Sequence, residues 1–449
     1  MRTTLWIVPA AMVVGATLLF GLTYLVDRTA DSGAIRLPGF VTSGSPDAAR
    51  QILIAIAAAI ITVAGVLFSI TILVLQLASQ QFGPRMLRNF IRDFGTQFSL
   101  GAFVATFVYS VLALGSVESA PARDFVPRVS VTMALLLTLV DLGIVIYFIH
   151  HVATSIQLTS VVSGIAGDFR ATLANLVADR AASPRSGTDG LDPADLSDRV
   201  LAAGVPVAAT VSGFIQAAGH RQLIGLAVST SSVIRFVRRP GHFVVDGQTV
   251  AFVIPVEAAA EVADALGRAH IVGPNRTLTQ DVGFGVDQLV EVAIRALSPA
   301  VNDTFTALNC IDWLGDCLCH AAAARLPDGI HRDEHGHVRI IEPVITMERL
   351  VKGATDKIRQ AGSGMPAVFI RQLENLGKLR RAVSSDDLGE VIEHHARLIL
   401  RAGDETVRDE ADRSDIRAAF DLAMSNVVPG SAMSESWGNG LTSPGTRRL

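Results

Sequence analysis

The sequence predicts a multi-pass α-helical membrane domain of four spanning helices, followed by a mixed α/β cytosolic domain with a small β unit and a helical C-terminal part. Apolar residues are concentrated in the first third of the 449-residue chain, in four segments long enough to cross a bilayer. Beyond residue 200 the pattern changes to short β-branched runs and then to amphipathic helical spacing. A mean hydropathy of +0.42 is high for a soluble protein.

The four spans are predicted at residues 5–26, 52–78, 98–117 and 129–149. Trp6 and Tyr24 lie near the two ends of the first span, where aromatic side chains favour the membrane interface. The second apolar segment contains no charged residue, and as a helix it is roughly 40 Å long. It therefore exceeds the hydrocarbon core of about 30 Å and is expected to tilt before Gly83-Pro84 ends it.

The predicted organisation assigns residues 1–150 to the transmembrane domain and 201–425 to the cytosolic α/β domain. Residues 118–128 are expected to be a short loop between the third and fourth spans. The remaining segments are an amphipathic connecting helix at 151–182, a linker at 183–200 and a disordered tail at 426–449.

The cytosolic domain is predicted to begin with strands at 233–237, 243–245 and 249–253, with Asp246-Gly247 as a hairpin signal between the last two. A helix is expected at 257–269, and two more between 279 and 325, separated at Ser298-Pro299. The predicted C-terminal elements are a hairpin around His335-Gly336 within 326–342 and helices at 346–380 and 386–424.

Several features favour the bacterial inner membrane with both chain termini in the cytoplasm. Four spans place the termini on one side, and Arg2 and the basic cluster at 85–92 favour the cytoplasmic side. All three cysteines, Cys310, Cys317 and Cys319, lie in one short segment, which is typical of reduced, buried thiols in a cytosolic helix.

Composition and missing motifs limit the function classes. The formal charge of −4 gives no reason to expect a nucleic-acid partner, and lysine occurs only at 352, 357 and 378. The sequence has no GxxxxGK[ST], GxSxG or CxxC motif, so neither an enzyme nor a cofactor is expected. Residues 331–335 spell H-x-x-E-H, but they fall in a predicted hairpin turn, so no metal site is expected.

Asp141 is the main candidate for an intramembrane polar site. A carboxylate near the middle of a span costs roughly 2.5–3.5 kcal/mol on insertion scales, so it needs a partner, water or a proton. It is interpreted either as a cation or proton site or as a structural hydrogen-bond donor between helices. His150 and His151 are typical of the membrane interface, or would extend a polar path.

A small, polar stripe runs along the second span. It includes Thr62, Ser69 and Gln76 with Gly65, Ser79 and Gly83, at steps that place them on one helical face. This face is expected either to pack against other helices, including a second copy, or to line a pore. Beyond the span, Arg85, Arg88 and Arg92 form a basic face suited to anionic lipids, or to an anion-selective ring.

Arg295, Asn302 and Asp303 form a candidate cytosolic contact site. The plain interpretation is that Asn302 or Asp303 caps the helix that follows Ser298-Pro299. The alternative is a ligand or subunit contact, with Arg295 and Asp281 as the nearest charges.

The chain resembles a large bacterial family of predicted membrane proteins with a domain of unknown function. The resemblance covers about residues 5–425 and implies four spans and a cytoplasmic C-terminal domain, with no established activity. It rests on Gln81-Phe82-Gly83-Pro84-Arg85, Gly101-x-Phe103, Phe107-x-Tyr109, Ser212-Gly213-Phe214-Ile215-Gln216, Arg239-Pro240-Gly241-x-Phe243-Val244 and Arg295-Ala-Leu-Ser-Pro-Ala-Val-Asn-Asp303-x-x-Thr306-Ala307.

Two functions follow as hypotheses. The first is an oligomeric ion channel or transporter-like protein gated by its cytosolic domain, with the pathway at a subunit interface. The alternative is a membrane-anchored sensory or scaffold protein whose cytosolic domain binds a partner or small ligand. Both need the lipid bilayer and favour a homo-oligomer; the ion or ligand is not specified by the sequence.

Overall fold

A computed structural model describes residues 6–32, 45–82, 93–120, 123–155, 157–181, 192–324, 326–383 and 385–425. Arg85, Arg88, Arg92 and the predicted tail lie outside these residues. The chain divides into two compact units, Met1–Val161 and Val162–Leu449. The sequence placed this boundary at residue 150; in the structure it falls eleven residues later, inside a helix.

The first unit contains four helices long and apolar enough to cross a membrane, as predicted. They are α1 (Ile7–Asp31), α2 (Pro46–Phe82), α3 (Phe94–Gly115) and α4 (Arg128–Ser155). Most of them extend several residues past the predicted apolar runs, because helical hydrogen bonding continues into the polar flanks. Capping side chains set some of the starts: Asp93 Oδ2 accepts from the Thr96 amide at 2.7 Å.

Helix α3 supplies much of the core of this unit. Phe103 and Tyr109 are fully buried there, and Leu53 and Ile60 project from α2 at helical spacing. Gly101 allows α1 to approach, since a Cβ there would lie 3.0 Å from Pro9 Cα. The family-like motifs Gly101-x-Phe103 and Phe107-x-Tyr109 of α3 therefore consist of packing residues of the helix bundle.

The segment predicted as a loop between α3 and α4 contains a short antiparallel hairpin, β1 (Glu118–Ala120) and β2 (Arg123–Phe125). Phe125 anchors it: its ring is buried and meets the Tyr24 ring edge-on at 6.0 Å. The loop prediction is wrong here because this contact with α1 is not visible in the local sequence.

Helix α5 (Leu158–Ala181) matches the predicted connecting helix and buries Val162, Ile165, Phe169 and Leu173 at the expected spacing. It is separate from α4, because Gln157 is not helical. The linker prediction is wrong for residues 193–200, which belong to α6 (Pro193–Ala203). Asp192 caps this helix, and Leu196 and Val200 pack on strands, which explains why a Pro- and Asp-rich start is ordered.

The second unit has two sheets. Their strands are β3 (Val205–Ala208), β4 (Gly213–Ala218), β5 (Val233–Phe236), β6 (Phe243–Val244), β7 (Thr249–Ile254), β8 (His270–Gly273), β9 (Ile330–Arg332) and β10 (Val338–Ile341). The five-stranded sheet has the order β3-β7-β5-β10-β9, in which only β10 and β5 are parallel. The three-stranded sheet has the order β6-β4-β8.

The predicted strands β5, β6 and β7 are present, but the hairpin prediction at Asp246-Gly247 is wrong. The turn forms, with Gly247 at φ +79°, yet β6 pairs with β4 while β7 pairs with β3 and β5. The turn therefore connects two sheets. The predicted hairpin of β9 and β10 is confirmed as an antiparallel pair.

Helices cover both faces of the larger sheet. Leu223 and Val262, on α7 (His220–Ser229) and α8 (Ala259–Ala269), pack on one face with Ile234 and Phe236, while α6 covers the other face. The C-terminal helices are α9 (Val282–Ala296), α10 (Thr304–Ala324), α11 (Met347–Ala361), α12 (Pro366–Ala382), α13 (Asp386–Thr406) and α14 (Glu410–Met424). The predicted helix break after Ser298-Pro299 is present.

Candidate ligand-binding site

The structure does not assemble the predicted intramembrane residues into one site. Asp141 is buried on α4, 3% exposed, and hydrogen-bonds the Thr106 side chain of α3. Thr62, Ser69 and Gln76 instead lie on the exposed side of α2. The Thr62 and Ser69 hydroxyls donate to carbonyl groups one turn earlier, at 2.7 and 2.9 Å. Within one chain, this stripe faces away from Asp141.

Asp303 is a helix cap, as the plain interpretation predicted. Its Oδ1 accepts from the Thr306 amide at 3.0 Å and its Oδ2 from the Thr306 hydroxyl at 2.6 Å, at the start of α10. Asn302 occupies the preceding turn at φ +50°, and Arg295 lies in the last turn of α9. The expectation that Asp281 would pair with this segment is wrong, since its carboxylate binds two arginines elsewhere.

The second unit contains a basic cavity of about 430 Å³. Five cationic side chains line it against two carboxylates, Asp287 and Asp356. The cations are Arg239, Arg276, Arg349, Lys352 and Lys357. A concave site of this size with convergent donors suits a small ligand, and the excess positive charge favours an anion.

Helix α11 is amphipathic, and its charged side forms one wall of the basic cavity. Arg349, Lys352 and Lys357 recur at helical spacing on the cavity side. Val351, Ala354, Thr355 and Ile358 form the buried face of the helix, and Leu350, which is also buried, contributes to the cavity lining. Two of the three lysines of the chain thus lie in this cavity.

Asp281 fixes the two arginines of the opposite wall. Its carboxylate is 1% exposed and lies 2.7 Å from Arg276 Nη2 and 3.6 Å from Arg239 Nη1. Arg276 also donates to Asp287 at 2.5 Å. Gly241, at φ +92°, allows the chain to pass directly over Asp281, because a Cβ there would overlap the carboxylate. The family-like Arg239-Pro240-Gly241 motif therefore builds this wall.

The positive charge of the basic cavity affects the pKa of His242, which lines it. Burial lowers its pKa to about 4, and the positive charges of Arg239, Arg238, Arg349 and Arg276 act in the same direction. The imidazole is therefore neutral at pH 7 and contributes no further positive charge to the cavity.

A second, smaller cavity of about 80 Å³ shares Arg239 and Ile345 with the basic cavity. It is lined by His220, His331 and Glu342, together with Asp179 and Asp328. His331 Nε2 lies 2.9 Å from Glu342 Oε1, and His220 Nε2 lies 3.0 Å from Glu342 Oε2. These three side chains form the one His/Cys/Asp/Glu group of metal-binding dimensions within the described residues.

Hydrogen bonding keeps Glu342 ionised. Burial opposes ionisation, but the hydrogen bonds and charge of His220 and His331 outweigh it and lower the Glu342 pKa to about 2. For His220, burial lowers the pKa, and the contacts with Glu342 reverse this and raise it.

Comparison with known proteins gives the family. Residues 2–378 match the family of predicted membrane proteins designated DUF2254. The chain belongs to this family. The uncharacterised proteins Rv1290c of Mycobacterium tuberculosis and Mb1321c of Mycobacterium bovis are each 31% identical to it over 390 residues, which are 84% of this chain and 72% of each relative. No solved structure matches the chain.

Sequence analysis of this DUF2254 chain missed both of these cavities. The basic face of α11 carries a local signal, since Arg349, Lys352 and Lys357 share a helical face. The histidine cluster carries no local signal, because His220 and Glu342 are 122 residues apart. Of the H-x-x-E-H residues, His331 belongs to this cluster, while Glu334 and His335 lie in the hairpin turn, as predicted.

Proposed function

We propose that this DUF2254 protein is an inner-membrane receptor whose second unit binds a small phosphorylated anion in the cytoplasm. The observation that carries the proposal is the basic cavity, where five cationic side chains face two carboxylates. Arginine forks and lysine ammonium groups together match the donor pattern that phosphate oxygens require. The free thiols Cys310, Cys317 and Cys319 support a cytoplasmic location for this unit.

The two walls of the cavity would contribute to anion binding in different ways, one with fixed arginines and the other with adjustable lysines. Arg239 and Arg276 are held by Asp281 and need little reorganisation to accept an anion. Lys352 and Lys357 are exposed and adjustable, so they adapt to the position of the phosphate groups. An anion that binds both walls would join α11 to the loop that carries Arg239.

A thermal-shift panel on the full chain in detergent tests the ligand class. Pyrophosphate and a nucleoside diphosphate are expected to raise the melting temperature, and acetate and chloride at equal ionic strength are not. Stabilisation by all salts alike, or by none of the phosphate probes, would contradict the proposal.

A second function, proton or cation passage through the membrane unit, is favoured by one observation. Asp141 Oδ2 is buried and has no hydrogen-bond partner among the described residues. A carboxylate left half satisfied within a span is a site that an ion or proton can occupy. The outward-facing Thr62, Ser69 and Gln76 would then pack against a second copy, which supports a homo-oligomer.

Ion flux in proteoliposomes tests this second function. Asp141→Asn is expected to abolish a flux that wild type shows, while Thr62→Val, on the outer face of α2, retains part of it. If wild-type vesicles leak no more than empty vesicles across several ions and pH values, the membrane unit serves as an anchor.

A further inference from the structure

The His220, His331 and Glu342 side chains converge from three separate elements. His220 is the first residue of α7, His331 is the middle residue of β9, and Glu342 directly follows β10. On the hairpin, His331 pairs with Ile340, so Glu342 lies two residues further on the same face. The Glu342 amide donates to Gly329 O at 2.9 Å, which holds the carboxylate at the end of the sheet.

The ligand atoms have the spacing of a coordination sphere. One nitrogen or oxygen atom from each of the three residues lies within 4.8 Å of the others. Two ligand atoms about 2.1 Å from one ion lie about 3 Å apart at a right angle and about 3.4 Å apart at the tetrahedral angle that zinc prefers. The Nε2–Oε distances of 2.9 and 3.0 Å lie at the short end of this range, so binding of an ion requires only a small separation of the side chains. The two imidazole rings stack at 4.2 Å, so both Nε2 atoms point to the same carboxylate.

The surroundings favour a cation. Within the described residues, the ion pairs of Glu342 are those with the two histidines, and Asp179 adds negative charge near His220. Arg239, which also lines this cavity, is bound to Asp281. The cavity of about 80 Å³ leaves space for water molecules on the ion.

We propose that His220, His331 and Glu342 bind a divalent first-row transition-metal ion, with zinc as the first candidate. Two imidazole nitrogens and one carboxylate are a ligand set of this class, and water molecules complete the coordination. The ion replaces the protons that otherwise lie between each Nε2 atom and Glu342. The site differs from the H-x-x-E-H motif, because His335 and Glu334 take no part.

Zinc titration of the EDTA-treated full chain in detergent tests the proposal. Wild type is expected to bind one Zn²⁺ per chain by calorimetry. His331→Asn and Glu342→Gln should each weaken binding by about 100-fold or more. The matched control is His335→Asn, which removes an exposed histidine four residues away in the same hairpin and should bind as wild type does.

A second measurement separates loss of the metal from loss of the fold. Zn²⁺ should raise the melting temperature of wild type and of His335→Asn, but not of a folded Glu342→Gln or His220→Asn protein. The proposal is overturned if wild type binds no zinc. It is equally overturned if the three cluster variants bind zinc as wild type does, or if binding is lost only in His335→Asn. Phosphate binding in the basic cavity does not enter this readout, so the two proposals fail separately.

Discussion

The basic cavity and the histidine-lined cavity of the second unit share a wall and have opposite charge. Arg239 and Ile345 line both. On one side, arginines and lysines outnumber carboxylates; on the other, Glu342, Asp179 and Asp328 surround two histidines. At the shared wall, Asp281 forms ion pairs with Arg239 and Arg276. The proposed anion site and the proposed cation site are therefore neighbours that share one arginine, and Asp281 binds that arginine.

The largest expected loss of stability comes from substitution of Asp281, the residue that binds the arginine of the shared wall. Asp281→Ala leaves Arg239 and Arg276 without their buried partner, and should lower the free energy of unfolding by about 3 kcal/mol or more. Denaturant unfolding followed by tryptophan fluorescence, to which Trp313 of α10 contributes, measures this. The control is Asp287→Ala, whose carboxylate is more exposed at 35% and should cost about 1 kcal/mol. Equal losses in the two variants would contradict the role of Asp281.

The next largest loss of stability is expected from substitution of Gly241, whose backbone lies against the Asp281 carboxylate. Gly241→Ala combines a φ of +92° with a Cβ that overlaps the carboxylate, and should lower the free energy of unfolding by about 2–3 kcal/mol. Gly247→Ala is the matched control, with φ +79° and no neighbouring atom within 4 Å, and should cost about 1 kcal/mol. Similar costs would show that the close approach to Asp281 adds nothing.

A smaller effect is a pH dependence of the stability that is caused by His242, which lines the basic cavity. The His242 pKa is about 4 in the folded protein, below the usual 6.5, so the unfolded chain binds the extra proton between these values. Stability is therefore complete above about pH 6.5 and falls as the pH drops towards 4, by about 1–2 kcal/mol after solvent screening. His242→Gln should remove this part of the slope. An unchanged slope would mean that other groups cause the acid sensitivity.

The smallest effect is protection of lysines from chemical labelling. Pyrophosphate should slow the acylation of Lys352 and Lys357 a few-fold, because a bound anion covers both ammonium groups. Lys378 donates to Asn375 Oδ1 outside the basic cavity and should react at its original rate. Mass spectrometry of peptides distinguishes the three sites. Equal protection of all three would indicate a general salt effect.

Most of the fold follows from local patterns in the sequence. The four spans, α5 and the β9–β10 hairpin depend on periodicity and turn residues within short segments, and they were predicted. The helical segment predicted at 346–380 is divided at residues 362–365 into α11 and α12. Strands β3 and β4 and the pairing of β6 depend on partners far along the chain: Phe243 pairs with Phe214, not with the strand after Asp246-Gly247. Local turn chemistry does not determine which sheet each flanking strand joins.

The sites depend still more on distant residues. Arg239 meets Asp281 only when the loop after β5 folds over the start of α9. The histidine cluster likewise needs α7 to lie against the hairpin of β9 and β10. Asp141 shows the converse. A charged residue inside an apolar run is visible in the sequence, but only the structure shows that one of its oxygens lacks a partner among the described residues.

Pyrophosphate titration of the full chain by calorimetry tests the central claim most directly. Wild type and Lys378→Gln should bind with equal affinity, and Lys352→Gln with Lys357→Gln in one protein should weaken binding by about 100-fold, or roughly 10-fold for each charge-assisted contact. Equal affinity of wild type and the double variant would contradict the claim, as would an equal loss in Lys378→Gln or no binding by wild type.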